Sequence, residues 1–483
     1  MFNFFYSITG FVDHFVAHAL RSFILLVSQG AGRLIRFRSG EPEGLACIAL
    51  SGVLPLLIIS STAQAQQDPE VLPLQEAITI GLENNFDIKI TENERKIATN
   101  NHDLGNAGFL PILDADFSRN FQVEDANNVF ANSESQEVEN AQSNTLGAGV
   151  NLEWTIFDGT RMFVTYNRLS ALKTFSELQA REIIANTVAA ITSAYYTVIL
   201  EREKLQLFQN NLSLSDERLE IAEAKYRIGK ASKLEYLAAQ VDYNADQSAM
   251  IRQTELIYNA KADLNTLLAR NPDIDFEVPG QIDANLELSK TSLKESLLAT
   301  NPTLLQTRQN REIAALSTKE LETGRLPEIF IAGGYRFNDA ERGAGFLRTS
   351  RSSGFNYGLG ARVTLFDGWN QQRDIQNAKI TEETAVYQVE QTRNNLVNTL
   401  EKTFVRYTNS IDLIELETEN LAVARENADI ALERYKLGKS TSLELREAQR
   451  NALEAESRLI DAVYATKIAE IELNRLSGDL VTP

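Results

Sequence analysis

The run Tyr226-Arg227-Ile228-Gly229-Lys230 recurs as Tyr435-Lys436-Leu437-Gly438-Lys439, an offset of 209 residues. Thr155-Ile156-Phe157-Asp158-Gly159 recurs as Thr364-Leu365-Phe366-Asp367-Gly368 at the same offset, and Leu264-Asn265-Thr266-Leu267 as Leu473-Asn474-Arg475-Leu476. Three matches at one spacing identify two tandem copies of a unit of about two hundred residues, and such repeats build pseudo-symmetric structures.

Outward from the quoted runs, four stretches contain neither Gly nor Pro: 160–228, 230–271, 369–437 and 439–477. Freedom from helix breakers over such lengths predicts helices, the longer ones spanning roughly 100 Å at 1.5 Å per residue. Ile184, Val188, Ile191, Tyr195 and Val198 follow a heptad spacing, as do Val397, Leu400, Phe404, Tyr407, Ile411 and Ile414. That is the seam of a coiled coil rather than of an ordinary amphipathic helix. Gly229 and Gly438 end the long stretches, and glycine supplies the left-handed backbone that terminates a helix. Each copy therefore holds an antiparallel helical hairpin with its tip at one of these glycines.

Ahead of each hairpin the pattern changes to period two. Leu146, Ala148, Val150, Leu152, Trp154 and Ile156 alternate with polar residues; Tyr357, Leu359, Ala361, Val363 and Leu365 do the same in the second copy. Leu113, Ala115, Phe117 and Phe121 alternate with Asp114, Asp116, Ser118 and Asn120. This suits a barrel wall with lipid on one face and water on the other, although a strand on a soluble core shows the same alternation. Pro111 and Pro327 mark the switch from helix to strand, and the turns Asp158-Gly159 and Asp367-Gly368 return the chain from strand to helix. The two prolines stand 216 apart, so the first copy carries seven extra residues, expected as a loop insertion within Gln122 to Asn144. Four strands cannot close a membrane barrel, and open edges in lipid leave backbone groups unpaired. The chain is expected to oligomerise; three copies make twelve strands.

The net charge of −19 argues against a nucleic-acid partner. The three histidines, His14, His18 and His102, and the single Cys47 form no metal-ligand cluster. Cys47 reads as a small hydrophobe, since the apolar run continues downstream of it, opposite to a lipid-anchor site. No cofactor is implied. Arg33, Arg36 and Arg38, the apolar stretch Leu45 to Ile59 and Ala63-Gln64-Ala65 make a secretory signal with cleavage after Ala65. The forty residues ahead of it suit either a long leader or a start placed too early, the next methionine being Met162. Beyond the leader no apolar run long enough for a membrane helix is expected, so membrane insertion must be by strands.

The duplicated order of strand, Phe-Asp-Gly turn, long helix, Tyr-x-x-Gly-Lys tip and return helix resembles the TolC family of outer-membrane channels over essentially all of the mature chain. The residues that carry it are Tyr226 to Glu235, Tyr435 to Glu444, the Phe157-Asp158-Gly159 and Phe366-Asp367-Gly368 turns, Pro111 and Pro327. The resemblance implies an α+β membrane protein: a homotrimer with a twelve-stranded β-barrel in the outer membrane, four strands per chain, continued by a long α-helical coiled-coil tunnel in the periplasm. It implies tips that dock a periplasmic adaptor (membrane fusion protein) through Gly229, Lys230, Gly438 and Lys439, and beyond it an inner-membrane pump of the RND, ABC or similar type. Glu235 and Tyr435 match a closed-state latch, and Glu444 and Glu447 an acidic ring on the lumen. Ser440 stands where the family places a closing arginine, with Lys439 or Lys230 as substitutes; without the family, a Tyr at a helix end and Glu on a helix face read as solvated surface.

The units expected are a leader over 1–65, a first repeat over 66–271, an equatorial linker over 272–300 and a second repeat over 301–483. The function expected is a passive outer-membrane conduit of a tripartite efflux or type I secretion system. A periplasmic coiled-coil adaptor is the alternative; it explains the hairpins but not the strands. No Ser/His/Asp set, phosphate loop or metal cluster supports an enzyme. The cargo and the pump class are not legible, because a conduit leaves selection to its pump.

Overall fold

A computed structural model describes residues 70–131 and 133–481, and the expected leader lies outside them. In chain order the first copy contains β1 (Glu70–Val71), α1 (Leu74–Asn84), α2 (Phe86–Asn101), β2 (Ile112–Val129), β3 (Ser135–Asp158), α3 (Arg161–Arg227) and α4 (Lys233–Leu267). The second contains β4 (Phe276–Glu277), α5 (Lys290–Thr300), α6 (Pro302–Thr323), β5 (Glu328–Glu341), β6 (Thr349–Arg362), α7 (Asn370–Lys436) and α8 (Ser442–Ser477), with a short 3₁₀ turn at Asp479–Val481. The breaker-free stretches are the four longest helices, and α3 and α7 are each 67 residues long.

The heptad seams are buried where the helices of each copy meet. Ile191, Tyr195 and Val198 of α3 pack with Leu264 of α4, Leu72, Ala77 and Phe276. Leu400 and Tyr407 of α7 pack with Leu473 and Leu476 of α8 and with Leu293 and Leu297 of α5. Burying one such aliphatic side chain stabilises by about 1.5–3 kcal/mol, so these clusters anchor the hairpins far from their tips. The expectation that no helix here is apolar enough to cross a membrane needs correction. α3 holds an 18-residue window of mean hydropathy 1.6, but 56% of that window is buried within the protein, as in a core helix.

Two asparagines lock both copies in the same way. The Asn85 side-chain oxygen caps α2 by accepting from Asp87 N and Ile88 N at 2.9 and 3.3 Å, while Nδ2 donates to Leu267 O at 2.9 Å. Asn301 caps α6 through Leu304 N at 3.0 Å and donates to Leu476 O at 3.0 Å. Each side chain thus satisfies a free donor at one helix start and a free carbonyl at another helix end.

The strands form one antiparallel meander in the order β2-β3-β5-β6, with β2 and β6 as open edges. The register aligns Phe117 with Ala148 and Phe337, and Val150 with Tyr335 and Phe355. One face of the sheet is therefore apolar; the other carries Asp114, Asp116, Glu153 and Arg336. On the apolar face Phe355, Leu359 and Tyr357 of β6 are 77%, 72% and 91% exposed.

Two expectations are corrected in the sheet. The polar stretch from Gln122 to Asn144 is not mainly a loop: β2 runs to Val129 and β3 starts at Ser135, so it forms the outer arms of a long hairpin. Its residues are polar on both faces, so no period-two signal marked it. Conversely, Val363 and Leu365, expected in the last strand, lie beyond β6, which ends at Arg362 on an edge with no partner.

Candidate functional site

Both tips use the same turn. Gly229 and Gly438 have φ of 72° and 71°. Lys230 N donates to Lys225 O and Lys439 N to Arg434 O, each at 2.8 Å. This six-to-one bond with a left-handed glycine is a Schellman termination. A Cβ at either glycine would meet nothing within 4 Å, so within the chain the turn requires these glycines for their backbone conformation and not for close packing. The returning helices are capped alike: Glu235 N donates to Ser232 Oγ and Glu444 N to Thr441 Oγ1, both at 3.2 Å. Glu235 and Glu444 are thus first-turn acids, a position the helix dipole favours.

The two tips touch through polar side chains. Tyr435 Oη donates to Glu235 Oε1 at 3.0 Å, so the structure brings this expected pair together. Tyr435 is 1% exposed. Burial first, then the hydrogen bond to the Glu235 carboxylate, pushes the phenol well above the ordinary tyrosine range, keeping it a donor. Lys225, which the sequence reading missed, donates to Tyr435 O at 2.7 Å, and its Nζ lies 3.6 Å from the tyrosine ring centroid. The cation beside Tyr435 therefore comes from α3, not from Lys230 or Lys439, whose side chains are exposed. Lys436 Nζ reaches Glu217 at 3.1 Å, a further link between the hairpins.

About two turns deeper lies a second missed cluster. Arg218 of α3 is 3% exposed; it pairs with Asp242 of α4 at 3.3 Å and donates to Gln449 of α8 at 3.1 Å. Arg446 of α8 also pairs with Asp242, and Ser215 donates to Asp246. Desolvation holds the Arg218 guanidinium below its usual range, opposed by Asp246. The sequence reading did not mark Arg218, which lies beyond the heptad seam read from Ile184 to Val198; only its burial shows that the charge must be paired, since an unpaired charge there is too costly to persist.

Glu444 and Glu447, expected on the lumen, stand apart from this cluster. Glu444 lies 3.6 Å from Arg434 and Glu447 2.7 Å from Arg450. All four side chains are about half exposed, so screening leaves each pair worth little.

At the strand-to-helix turns, Gly159 and Gly368 have φ of 72° and 73°, each followed by a left-handed residue, Thr160 or Trp369. The Asp367 carboxylate accepts from Gln371 N at 2.7 Å and so caps α7, whereas Asp158 Oδ1 is buried with no hydrogen-bond partner. Pro111 and Pro327 immediately precede β2 and β5, but α2 has already ended at Asn101. The turns are locally identical and differ in their surroundings. A Cβ on Gly159 would sit 2.5 Å from Leu326 Cβ and 2.8 Å from Thr323 O, while one on Gly368 meets only Asn370 Nδ2 at 3.8 Å. Gly368→Ala should cost about 1–2 kcal/mol from backbone strain, and Gly159→Ala that plus about 1–3 kcal/mol from overpacking. Thermal unfolding of the two variants checks this; equal losses would mean that the Leu326 contact does not matter.

Long helical hairpins with closely linked tips, joined to a four-stranded meander with an exposed apolar face, define the class of outer-membrane channels built from strands and helices. A model of the outer membrane efflux protein family matches residues 78–270 and 293–479. The chain belongs to that family and is an outer-membrane efflux protein. It is 21% identical over 333 residues to the outer membrane efflux protein BepC of Brucella suis, covering 68% of this chain and 71% of BepC. It is 19% identical over 388 residues to the outer membrane protein TolC of Escherichia coli K12, covering 76% of this chain and 74% of TolC. Among solved structures, the outer-membrane channel OprN superposes with a TM-score of 0.71 at 18% identity, covering 84% of this chain and 89% of OprN. The Campylobacter jejuni channel CmeC gives 0.70 at 16% identity, covering 84% and 85%.

Proposed function

We propose that three copies assemble into one channel. Their sheets close a twelve-stranded barrel across the outer membrane, and their helices continue it as a periplasmic tunnel that ends at the tips. The observation that carries this reading is the isolated meander, with both edges open and the aromatic face of β6 exposed. Such a sheet suits lipid on one side and further strands at its edges. The boundaries 1–65, 66–271, 272–300 and 301–483 serve as the leader, first repeat, linker and second repeat of that protomer. The channel is the passive outer component of a tripartite efflux or type I secretion system. A periplasmic adaptor docks at Gly229, Lys230, Gly438 and Lys439, and an inner-membrane pump drives export. Light scattering of detergent-extracted protein should give the mass of a trimer; a stable, well-folded monomer overturns the assembly.

The Tyr435–Glu235 contact serves as the resting latch, and Glu444 and Glu447 line the narrowest passage. Three copies would bring six carboxylates there, giving a cation-preferring pore at low salt. Screening over about 8 Å at physiological ionic strength weakens the preference. Multivalent cations added from the periplasmic side of a planar bilayer should block it, and Glu444→Gln with Glu447→Gln should abolish the block without dissociating the trimer. Persistent block in that variant would assign the constriction to other carboxylates.

A further inference from the structure

We infer that β6 of one protomer pairs with β2 of the next in a register dictated by the internal repeat, and that Arg362 forms an ion pair with the partner's Asp116 across that seam. The inference rests on the trimeric reading above and specifies its interface. β6 is the repeat mate of β3 at an offset of 209, and β2 is the mate of β5 at 216. The β3–β5 ladder inside one chain is therefore the template for the seam between chains. Its pairs Ala148↔Phe337, Gly149↔Arg336 and Glu153↔Ala332 map onto Tyr357 opposite the partner's Phe121, Gly358 opposite the partner's Asn120, and Arg362 opposite the partner's Asp116.

Three observations agree with this mapping. The parity is right: Tyr357 meets the partner's Phe121 and Ala361 the partner's Phe117, apolar face to apolar face. A slip of one residue would turn every side chain to the wrong side. The charges are complementary where the template is not charged in this way, since Glu153 faces only Ala332. Arg362 lies over the Phe330 ring at 5.4 Å, and the Glu328 that stands opposite it in the β5–β6 ladder accepts instead from Thr155 Oγ1 at 3.1 Å. Asp116 is held in place by Asn151 Nδ2 at 2.7 Å, with the rest of its carboxylate open. The mapping also explains why β6 stops at Arg362 while β3 continues to Asp158. Val363 and Thr364 lack a ladder partner in one chain and gain the partner's Ala115 and Asp114.

The test uses the full chain exported to the outer membrane with Cys47→Ser. Gly358→Cys combined with Asn120→Cys should oxidise to a covalent trimer; Gly358 has open space for a side chain. Gly358→Cys combined with Ser118→Cys or Gln122→Cys is displaced by two residues, about 7 Å along the strand. These pairs should give less product by about tenfold or more, because a disulfide needs Cα atoms within about 7 Å. Cross-linking by a displaced pair instead, or by none while the protein remains trimeric, overturns the register and leaves the trimer standing. A monomeric mass overturns the assembly itself. Arg362→Asp and Asp116→Arg should each lower the temperature at which the detergent-solubilised trimer dissociates, and the double exchange should recover most of the loss. Failure of that rescue overturns the ion pair.

Discussion

Tyr435→Ala is expected to leave the pore conducting at rest. The side chain is buried with Leu445, Ala448 and Ala431, carries Lys225 over its ring and donates to Glu235. Truncating a buried aromatic side chain typically costs about 3–5 kcal/mol, and here the loss falls both on packing inside the second hairpin and on the contacts with Lys225 and Glu235 of the first. Tyr435→Phe keeps the ring and removes only a hydrogen bond to a charged acceptor, worth about 1.5–3 kcal/mol. The order of single-channel conductance in planar bilayers should be Tyr435→Ala first, then Tyr435→Phe with Glu235→Ala, then Tyr435→Phe alone, then the parent. A Tyr435→Ala channel as closed as the parent would show that the tip is held elsewhere.

Arg218→Ala should loosen the tips by a comparable amount. Removing one partner of a buried ion pair costs about 3–5 kcal/mol, because the remaining charge stays desolvated. Asp242 keeps Arg446, and Asp246 keeps Ser215, which places the expected loss toward the lower end. Hydrogen exchange should quicken in the facing turns of α3, α4 and α8, while the clusters around Leu264 and Leu473 stay protected. Arg218→Met, which leaves Asp242 paired with Arg446, should regain much of the loss, since a well-packed apolar side chain replaces the buried arginine without orphaning a charge. Unaltered exchange in Arg218→Ala would mean that the cluster does not hold the hairpins.

The architecture was legible wherever a local rule sets the backbone. Freedom from Gly and Pro marked α3, α4, α7 and α8 to within a few residues. Gly229 and Gly438 marked the tips because a Schellman turn needs a left-handed residue at one position, and Pro111 and Pro327 fell directly before β2 and β5. The outer arms of the β2–β3 hairpin escaped notice because a strand with polar residues on both faces shows no alternation. Of the tip, Glu235 and Tyr435 came only from family resemblance; composition and spacing would have left both as surface residues.

The sequence by itself therefore determined the repeat, the helices, the turns and the two faces of the sheet, because each follows from dihedral preference or from periodicity within a few residues. Only the tertiary structure decided what those elements hold in place. Lys225 reaches Tyr435 across 210 positions, Arg218 reaches Gln449 across 231, and Asn85 reaches Leu267 across 182. Gly159 and Gly368 adopt the same backbone, yet only one has Leu326 against it. Such contacts depend on which surfaces the two hairpins bury against each other, and burial decides whether an arginine, a tyrosine or a missing Cβ carries energy.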